Sequence, residues 1–276
     1  MLSTAEAIKK LLADPAHAAL VRNTYLDADV TEAAARFGQS GEWQAVLGVL
    51  GDRVRGARIV DVGAGNGMVS RAFALSGAAD VIALEPDPSD HIGRGAIQQV
   101  CAGQPVQIID AFAEALPLPD RSADIVYARQ VLHHTRDLGR ALEECARILK
   151  PGGLFLACRE HVADTPAELA EFLVNHPVHQ LTGGEHAFRL NEYRHAVRSA
   201  GLVLRREIGP WDSVINAFPA ITSDAELPGL PARIVGQKYG PVGRVLAQVP
   251  GIAALVRRRL FRPRPGRLHT FFAQKP

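Results

Sequence analysis

The stretch Arg58-Ile59-Val60-Asp61-Val62-Gly63-Ala64-Gly65-Asn66-Gly67 constrains this chain more than any other. Ile59, Val60 and Val62 are β-branched and apolar, as a strand covered on both faces requires. Gly63, Gly65 and Gly67 let the chain turn tightly and bring bare amides close to a ligand. Met68 to Leu75 then reads as helix, so the loop lies at a helix N-terminus, where unpaired N–H groups can grip a carboxylate or hydroxyls. Two glycines in such a turn can serve steric needs alone, so spacing has to narrow the reading. The dinucleotide fingerprint G-x-G-x-x-G fails because position 68 is Met; the glycines run G-x-G-x-G behind the acidic Asp61. A second strand, 80–84, ends at Glu85, 20 residues beyond Gly65, where a doubly wound sheet presents a carboxylate to ribose hydroxyls.

The alternation around this loop is regular: strands 58–62, 80–84, 105–109, 123–128 and 153–158, with helices 67–76, 89–101 and 137–149. That is the βαβ rhythm of a parallel sheet. Ahead of it, apolar residues at helical spacing predict helices over 4–22, broken at Asp14-Pro15, and over 31–50. After Glu160 the pattern predicts a helix at 166–174, a histidine-rich loop to 187, a helix at 190–200 and a strand at 202–208. Prolines and glycines concentrate in 209–266, which reads as an insertion, partly helical at 241–248 and 251–261, before a last strand 268–273. The expected units are a helical cap 1–52, a Rossmann-like core 53–208, the insertion 209–266 and a final core strand 267–276.

At the glycine loop the chain resembles the class I S-adenosylmethionine-dependent methyltransferases, whose first motif E/D-x-G-x-G-x-G stands here as Asp61 to Gly67. The resemblance continues through Ile109 to Asp120, Ala123 to Arg129 and Leu149-Lys150-Pro151-Gly152-Gly153, covers about residues 57–160, and is nearest to the ubiquinone and menaquinone C-methyltransferase group. It implies an α/β, doubly wound, seven-stranded sheet of order 3-2-1-4-5-7-6 with the last strand antiparallel. It also implies S-adenosylmethionine as cofactor and transfer of its methyl to O, N or C of a small metabolite. By the same resemblance Asp61 and the backbone at Gly63, Ala64 and Gly65 hold the methionine part, Glu85 beside Pro86 takes the ribose diol, and Asp110 with the Ala111 amide reads adenine. Arg129 is expected near the methionine carboxylate or the acceptor, with a structural ion pair as the other reading. N-terminal helices in this family shape the acceptor pocket, which makes Tyr25, Arg36, Phe37 and Trp43 candidate lining residues, unless they simply pack against the sheet.

An acceptor hydroxyl or carbon needs a base, and histidine is best poised near neutral pH. His161, at the end of the fifth strand, is the first candidate and His133, after the fourth, the second. Residues 160–186 hold further histidines, His176, His179 and His186, with Glu160 and Glu185. This cluster admits a base site, scattered structural histidines, or a divalent-metal site; no pair matches a zinc motif, so no metal ligand is assigned.

With 31 basic and 29 acidic residues the chain has no global pull toward nucleic acid. The N/D-P-P-Y/F motif is replaced by Ala128-Arg129-Gln130-Val131, which further disfavours a nucleic-acid methyltransferase; a non-catalytic cofactor-binding protein is the other alternative. Arginines 244, 257, 258, 259, 262, 264 and 267 among apolar residues suggest weak contact with a membrane surface or an acidic partner. Cys101, Cys145 and Cys158 read as buried free thiols. No secretory signal or apolar run of membrane-spanning length is legible, and a cytoplasmic protein is expected.

Overall fold

The computed structural model describes residues 2–246, 249–260 and 264–276. Its strands are β1 Arg58–Val62, β2 Asp80–Leu84, β3 Val106–Ile109, β4 Ala123–Arg129, β5 Leu149–Val162, β6 Val203–Ile208 and β7 Arg267–Gln274. They form one sheet in the order β3-β2-β1-β4-β5-β7-β6. β1 pairs in parallel with β2 and β4, and β7 runs antiparallel to both β5 and β6. The expected topology is therefore present, and the order reverses at β1 and β4, the position where open sheets leave a crevice at their carboxyl ends.

The helices, in chain order, are α1 Thr4–Ala13, α2 Ala18–Asn23, α3 Val30–Gly38, α4 Gly41–Leu50, α5 Met68–Leu75, α6 Arg94–Val100, α7 Leu138–Ile148, α8 Pro166–Asn175, α9 Pro177–Thr182, α10 Leu190–Ser199, α11 Val214–Ala217, α12 Leu230–Leu246 and α13 Pro250–Leu260. Successive strand residues serve opposite faces. Ile59, Val81 and Ile125 join the core built with α3 to α6, whereas Val60, Ile82 and Val126 join the one built with α7 and α10. Burying such a side chain contributes roughly 1.5–3 kcal/mol, which is why these strands need apolar residues on both faces. The first two helices stand apart: Ile8, Leu11 and Val21 make a small cluster with Ile92 and with Val178 and Leu181 of α9.

Several boundaries differ from the sequence expectation. The helix expected over 89–101 begins only at Arg94, because Gly93 lies against the chain at Asp87; a Cβ there would fall 2.2 Å from the Asp87 carbonyl oxygen. Strand β5 runs on to Val162, so Glu160 and His161 lie within it. The chain bulges at Arg159, whose φ is +61°, and pairing with β7 resumes at Glu160 opposite His269. The histidine-rich segment contains α9, opened by Pro177 and closed by Gly183 in the left-handed conformation. In the 209–266 segment the short helix α11 comes first, and α12 then begins at Leu230, with a kink at Gly240.

Arg262 lies outside the described residues, as do the side chains of Arg244, Arg257 and Arg259. Arg258 and Arg264 are exposed, and Arg267 pairs with Asp164. Cys101, Cys145 and Cys158 are buried and unpaired. Among the described residues no helix is long and apolar enough to cross a membrane.

Candidate functional site

β1 carries Asp61 and the glycine loop to the sheet edge. Gly63, Gly65 and Gly67 take φ values of +65°, +56° and +81°, which L side chains rarely adopt. Their surroundings differ. A Cβ on Gly63 would fall 2.2 Å from Cγ2 of Val131, and one on Gly67 3.0 Å from the Ile97 backbone, whereas one on Gly65 meets nothing within 4 Å. Gly65 therefore borders open space. The Asn66 side-chain amide donates to the Tyr25 carbonyl at 2.7 Å, tying the loop to the N-terminal segment.

Two carboxyls support this loop. Asp61 is 1% exposed and accepts the Ser70 hydroxyl at 2.6 Å; burial pushes its pKa up to about 7. Glu85, at the end of β2, accepts the amides of Gly65 at 2.8 Å and Asp87 at 2.9 Å, and burial likewise pushes it up to about 7. Arg94 pairs with Asp110 at 3.1 Å and donates to the backbone carbonyls of Glu85 at 2.9 Å and Pro86 at 2.7 Å, and Arg129 is held by Glu42. Arg94 thus lowers the pKa of Glu85, and Arg129 that of Asp61, by charge without pairing with either carboxyl.

The other side of the site comes from β4 and β5. Arg129 grips the buried Glu42 of α4 with Nε at 2.7 Å and Nη2 at 3.1 Å, and Nη1 donates to Gln130 at 2.9 Å. The ion pair offered as one reading of Arg129 is present, and the residue also borders the cavity between the two sides of the site. Gln130 then takes a φ of +52° and turns the chain into the short helical turn Leu132–His134. The amides of this turn end on Glu160: Oε1 accepts Val131 N–H at 3.1 Å, and Oε2 accepts His133 N–H at 3.1 Å. The same Oε2 meets the His133 ring Nδ1 at 2.8 Å. Burial raises the Glu160 pKa, and the backbone donors of Val131 and His133 act against it by favouring the carboxylate; a carboxylate here accepts the ring N–H at Nδ1 and leaves Nε2 with its lone pair.

His161 reaches the same state by another route. Its Nδ1 faces the Gly266 carbonyl at 2.8 Å, and a carbonyl can only accept, so Nδ1 carries the proton and Nε2 the lone pair. Burial, helped by neighbouring imidazoles, holds both His133 and His161 well below the usual histidine range, so both are neutral at pH 7. Their rings lie 4.8 Å apart. Glu185 completes the group, with Oε2 3.8 Å from His133 Nε2 and 3.7 Å from His134 Nε2.

One cavity of about 480 Å³ joins the two sides, a size within the range of small-molecule sites. Asp61, Gly63, Ala64, Gly65 and Asn66 line one end, and His133, His134, His161, His176 and Glu185 the other. Ile8, Leu11, Val21, Leu26 and Val178 supply an apolar wall. Of the expected cofactor residues, Asp61, Gly63, Ala64, Gly65 and Arg129 border this cavity; Glu85, Pro86, Asp110 and Ala111 lie outside its lining, along the edge formed by the ends of β2 and β3. Both expected bases, His161 and His133, border it.

Tyr25, Arg36, Phe37 and Trp43 do not line the cavity. The Tyr25 ring packs on Phe37 at 5.2 Å and Phe218 at 5.8 Å, Trp43 packs on Phe73 at 4.8 Å, and Arg36 pairs with Asp27. The wall belongs to α1 and α2 instead, anchored by the Leu2 amide donating to the Leu181 carbonyl at 3.0 Å. Sequence reasoning also missed Glu42 and Asn66. Glu42 had a signal, an acidic residue beside Trp43 at the start of an otherwise apolar helix.

The methyltransferase-domain family matches residues 60–157. The chain is 30% identical over 161 residues to the ubiquinone biosynthesis O-methyltransferase of Rhizobium etli strain CIAT 652, covering 56% of this chain and 64% of that protein. It is 34% identical over 122 residues to the dimethylglycine N-methyltransferase of Parasynechococcus marenigrum, covering 44% of this chain and 43% of that one. The match thus spans less than two thirds of the length of either relative. An S-adenosylmethionine-dependent methyltransferase from Mesorhizobium loti superposes with a TM-score of 0.57 at 20% identity, over 86% of this chain and 99% of that one, a likeness of fold. Residues 60–157 are thus similar to the methyltransferase-domain family, and the sheet around them has the fold of an S-adenosylmethionine-dependent methyltransferase.

Proposed function

We propose that this chain transfers the methyl group of S-adenosylmethionine to a hydroxyl oxygen of a small metabolite with an apolar body. The supporting observation is the single cavity that runs from the glycine loop to His133 and His161. A methyl donor on the loop and an acceptor against the histidines would share one continuous cavity.

The loop end fits the cofactor in shape and in charge. Open space lies over Gly65, the loop stands at the N-terminus of α5, and two buried carboxyls with pKa values of about 7 await a cationic ligand. On the family pattern, Asp61 and the backbone of Gly63, Ala64 and Gly65 hold the methionine part, Glu85 with Pro86 the ribose, and Asp110 with the Ala111 amide the adenine. Arg129, already paired with Glu42, acts by shaping the wall and fixing the turn that carries His133.

When bound, the cofactor supplies a methyl already activated on a sulfonium. The protein's own work is to align, to exclude water and to take a proton. Alignment alone can contribute about 7–11 kcal/mol of the barrier reduction. His161 is the proposed base, because its Nε2 lone pair is fixed by the Gly266 carbonyl on Nδ1. Neutral imidazoles suit a hydroxyl acceptor, and the wall of Ile8, Leu11 and Val21 suits an apolar body.

The test is transfer of radiolabelled methyl from S-adenosylmethionine to size-matched panels of phenols, alcohols, amines and carbon acids. Label on the hydroxyl compounds supports the proposal; label on amines or carbon acids alone, or on nothing, contradicts it. His161→Ala is expected to lower kcat by roughly 10²–10⁴-fold with cofactor affinity unchanged.

A further inference from the structure

We propose that His133, His134 and Glu185 form a binding site for a divalent transition-metal ion at the acceptor end of the cavity; its role in the reaction rests on the methyltransferase reading above. The ligand atoms of these three residues lie within 4.8 Å of one another. The two measured approaches to Glu185 are 3.8 Å and 3.7 Å. A cation about 2.1 Å from each ligand sets tetrahedral neighbours about 3.4 Å apart, so these approaches need to close by only a few tenths of an ångström.

The site is built as metal sites are. His133 is 2% exposed, and its Nδ1 is held by the buried carboxylate of Glu160 at 2.8 Å, the outer partner that fixes tautomer and ring orientation in metal-binding histidines. Its Nε2 is therefore the lone pair that faces Glu185. The His134 ring lies beside it, centroids 4.2 Å apart and planes tilted by 41°, and brings a second Nε2 to the same carboxylate. His176 is differently engaged: its Nδ1 accepts the His179 amide at 3.4 Å and caps α9, which leaves the ring proton on Nε2.

Two imidazoles and one carboxylate suit zinc, cobalt or manganese better than magnesium or calcium, which prefer oxygen ligands throughout. Three protein ligands leave a coordination position for the acceptor oxygen. The cation binds the hydroxyl oxygen and lowers its pKa, and the proton passes to Nε2 of His161 as the O–H bond breaks. The O–CH₃ bond then forms as the sulfonium S–CH₃ bond breaks, with that electron pair leaving on sulfur as S-adenosylhomocysteine. No oxidant or reductant is required. The cation also gives His133 and His161 separate tasks, one as ligand and the other as base.

The experiment titrates metal-freed protein with Co²⁺, followed by its visible absorption bands, and with Zn²⁺ by calorimetry. One equivalent is expected to bind, and Glu185→Gln and His134→Ala are expected each to weaken binding by about tenfold or more. His134 is half-exposed, with a side chain 43% accessible, so its variant keeps the core intact even if the Glu185 variant folds poorly. Absence of stoichiometric binding, or equal affinity in wild type and both variants, overturns the site. S-adenosylmethionine is titrated into the same samples. Metal binding that falls in the variants supports the site whether or not the cofactor binds, and failure of the cofactor to bind counts against the methyltransferase reading alone.

Discussion

Gly63 and Gly65 share a left-handed backbone, yet their substitution should separate folding from ligand binding. Gly63→Ala adds backbone strain and drives a methyl into Val131, 2.2 Å away, so the expected loss of stability is about 2–4 kcal/mol in denaturant unfolding. Gly65→Ala meets nothing, so only the left-handed strain remains, about 1 kcal/mol, while its methyl enters the space over the loop. Cofactor affinity should then fall by about tenfold or more in a near-normally stable protein. Equal stability losses in the two variants would contradict this account of the loop.

The carboxyls of Asp61 and Glu85 give a pH prediction at the same scale. Both are pushed up to about 7 in the folded chain, above their ordinary values of 3.8 and 4.5. A carboxyl raised on folding stabilises the free protein fully below its unfolded pKa, and that contribution is lost as pH rises through the folded value. A cationic ligand has the opposite preference, because it favours the charged forms. Affinity for S-adenosylmethionine should therefore rise from pH 6 to pH 8 and then level off, as read by calorimetry across that range. The Asp61→Asn, Glu85→Gln double variant should bind weakly with a flat profile; a wild-type affinity independent of pH would show that these groups do not meet the ligand.

At the scale of elements, Glu42 ties α4 to the ends of β4 and β5. It is fully buried, holds Arg129 bidentately and lies 3.8 Å from Arg159. Glu42→Gln leaves two buried guanidiniums without a countercharge, a loss of about 3–5 kcal/mol. At about 2–4 °C per kcal/mol for a chain of this size, the melting temperature should drop on the order of 10 °C. A drop of only a degree or two, measured by calorimetry, would mean that solvent or a rearranged partner compensates the arginines. The same pair explains what the sequence withheld. Arg129 was visible at a strand end, but its partner lies 87 residues away and no local pattern links them. The strands β1, β2 and β4 were legible because burial on both faces forces apolar runs. The true length of β5 was not, because its second half is set by pairing with β7, more than 100 residues downstream, as in the contact of His161 with Gly266.

At the scale of the whole molecule, the site arises where the reversal of strand order meets the N-terminal helices. The glycine loop and Glu85 could be placed from sequence, since each sits at a strand end whose order the βαβ rhythm dictates. The apolar wall could not, because Ile8, Leu11 and Val21 form their own cluster with α9 rather than joining the sheet core, and nothing local reveals which surface an amphipathic helix will cover. The histidines were visible as a cluster, but the division of labour among them depends on what each Nδ1 touches: a carboxylate for His133, a carbonyl for His161, an amide for His176.

The central claim is that the loop following β1 binds S-adenosylmethionine with Glu85 as part of the site. Calorimetric titration of the wild-type chain with S-adenosylmethionine and, separately, with NAD tests it most directly, with Glu85→Ala as the control. The account predicts one equivalent of S-adenosylmethionine bound at micromolar affinity, no heat from NAD, and affinity reduced by about tenfold or more in the variant. No binding of S-adenosylmethionine to the wild type, or binding that the variant retains in full, would contradict it.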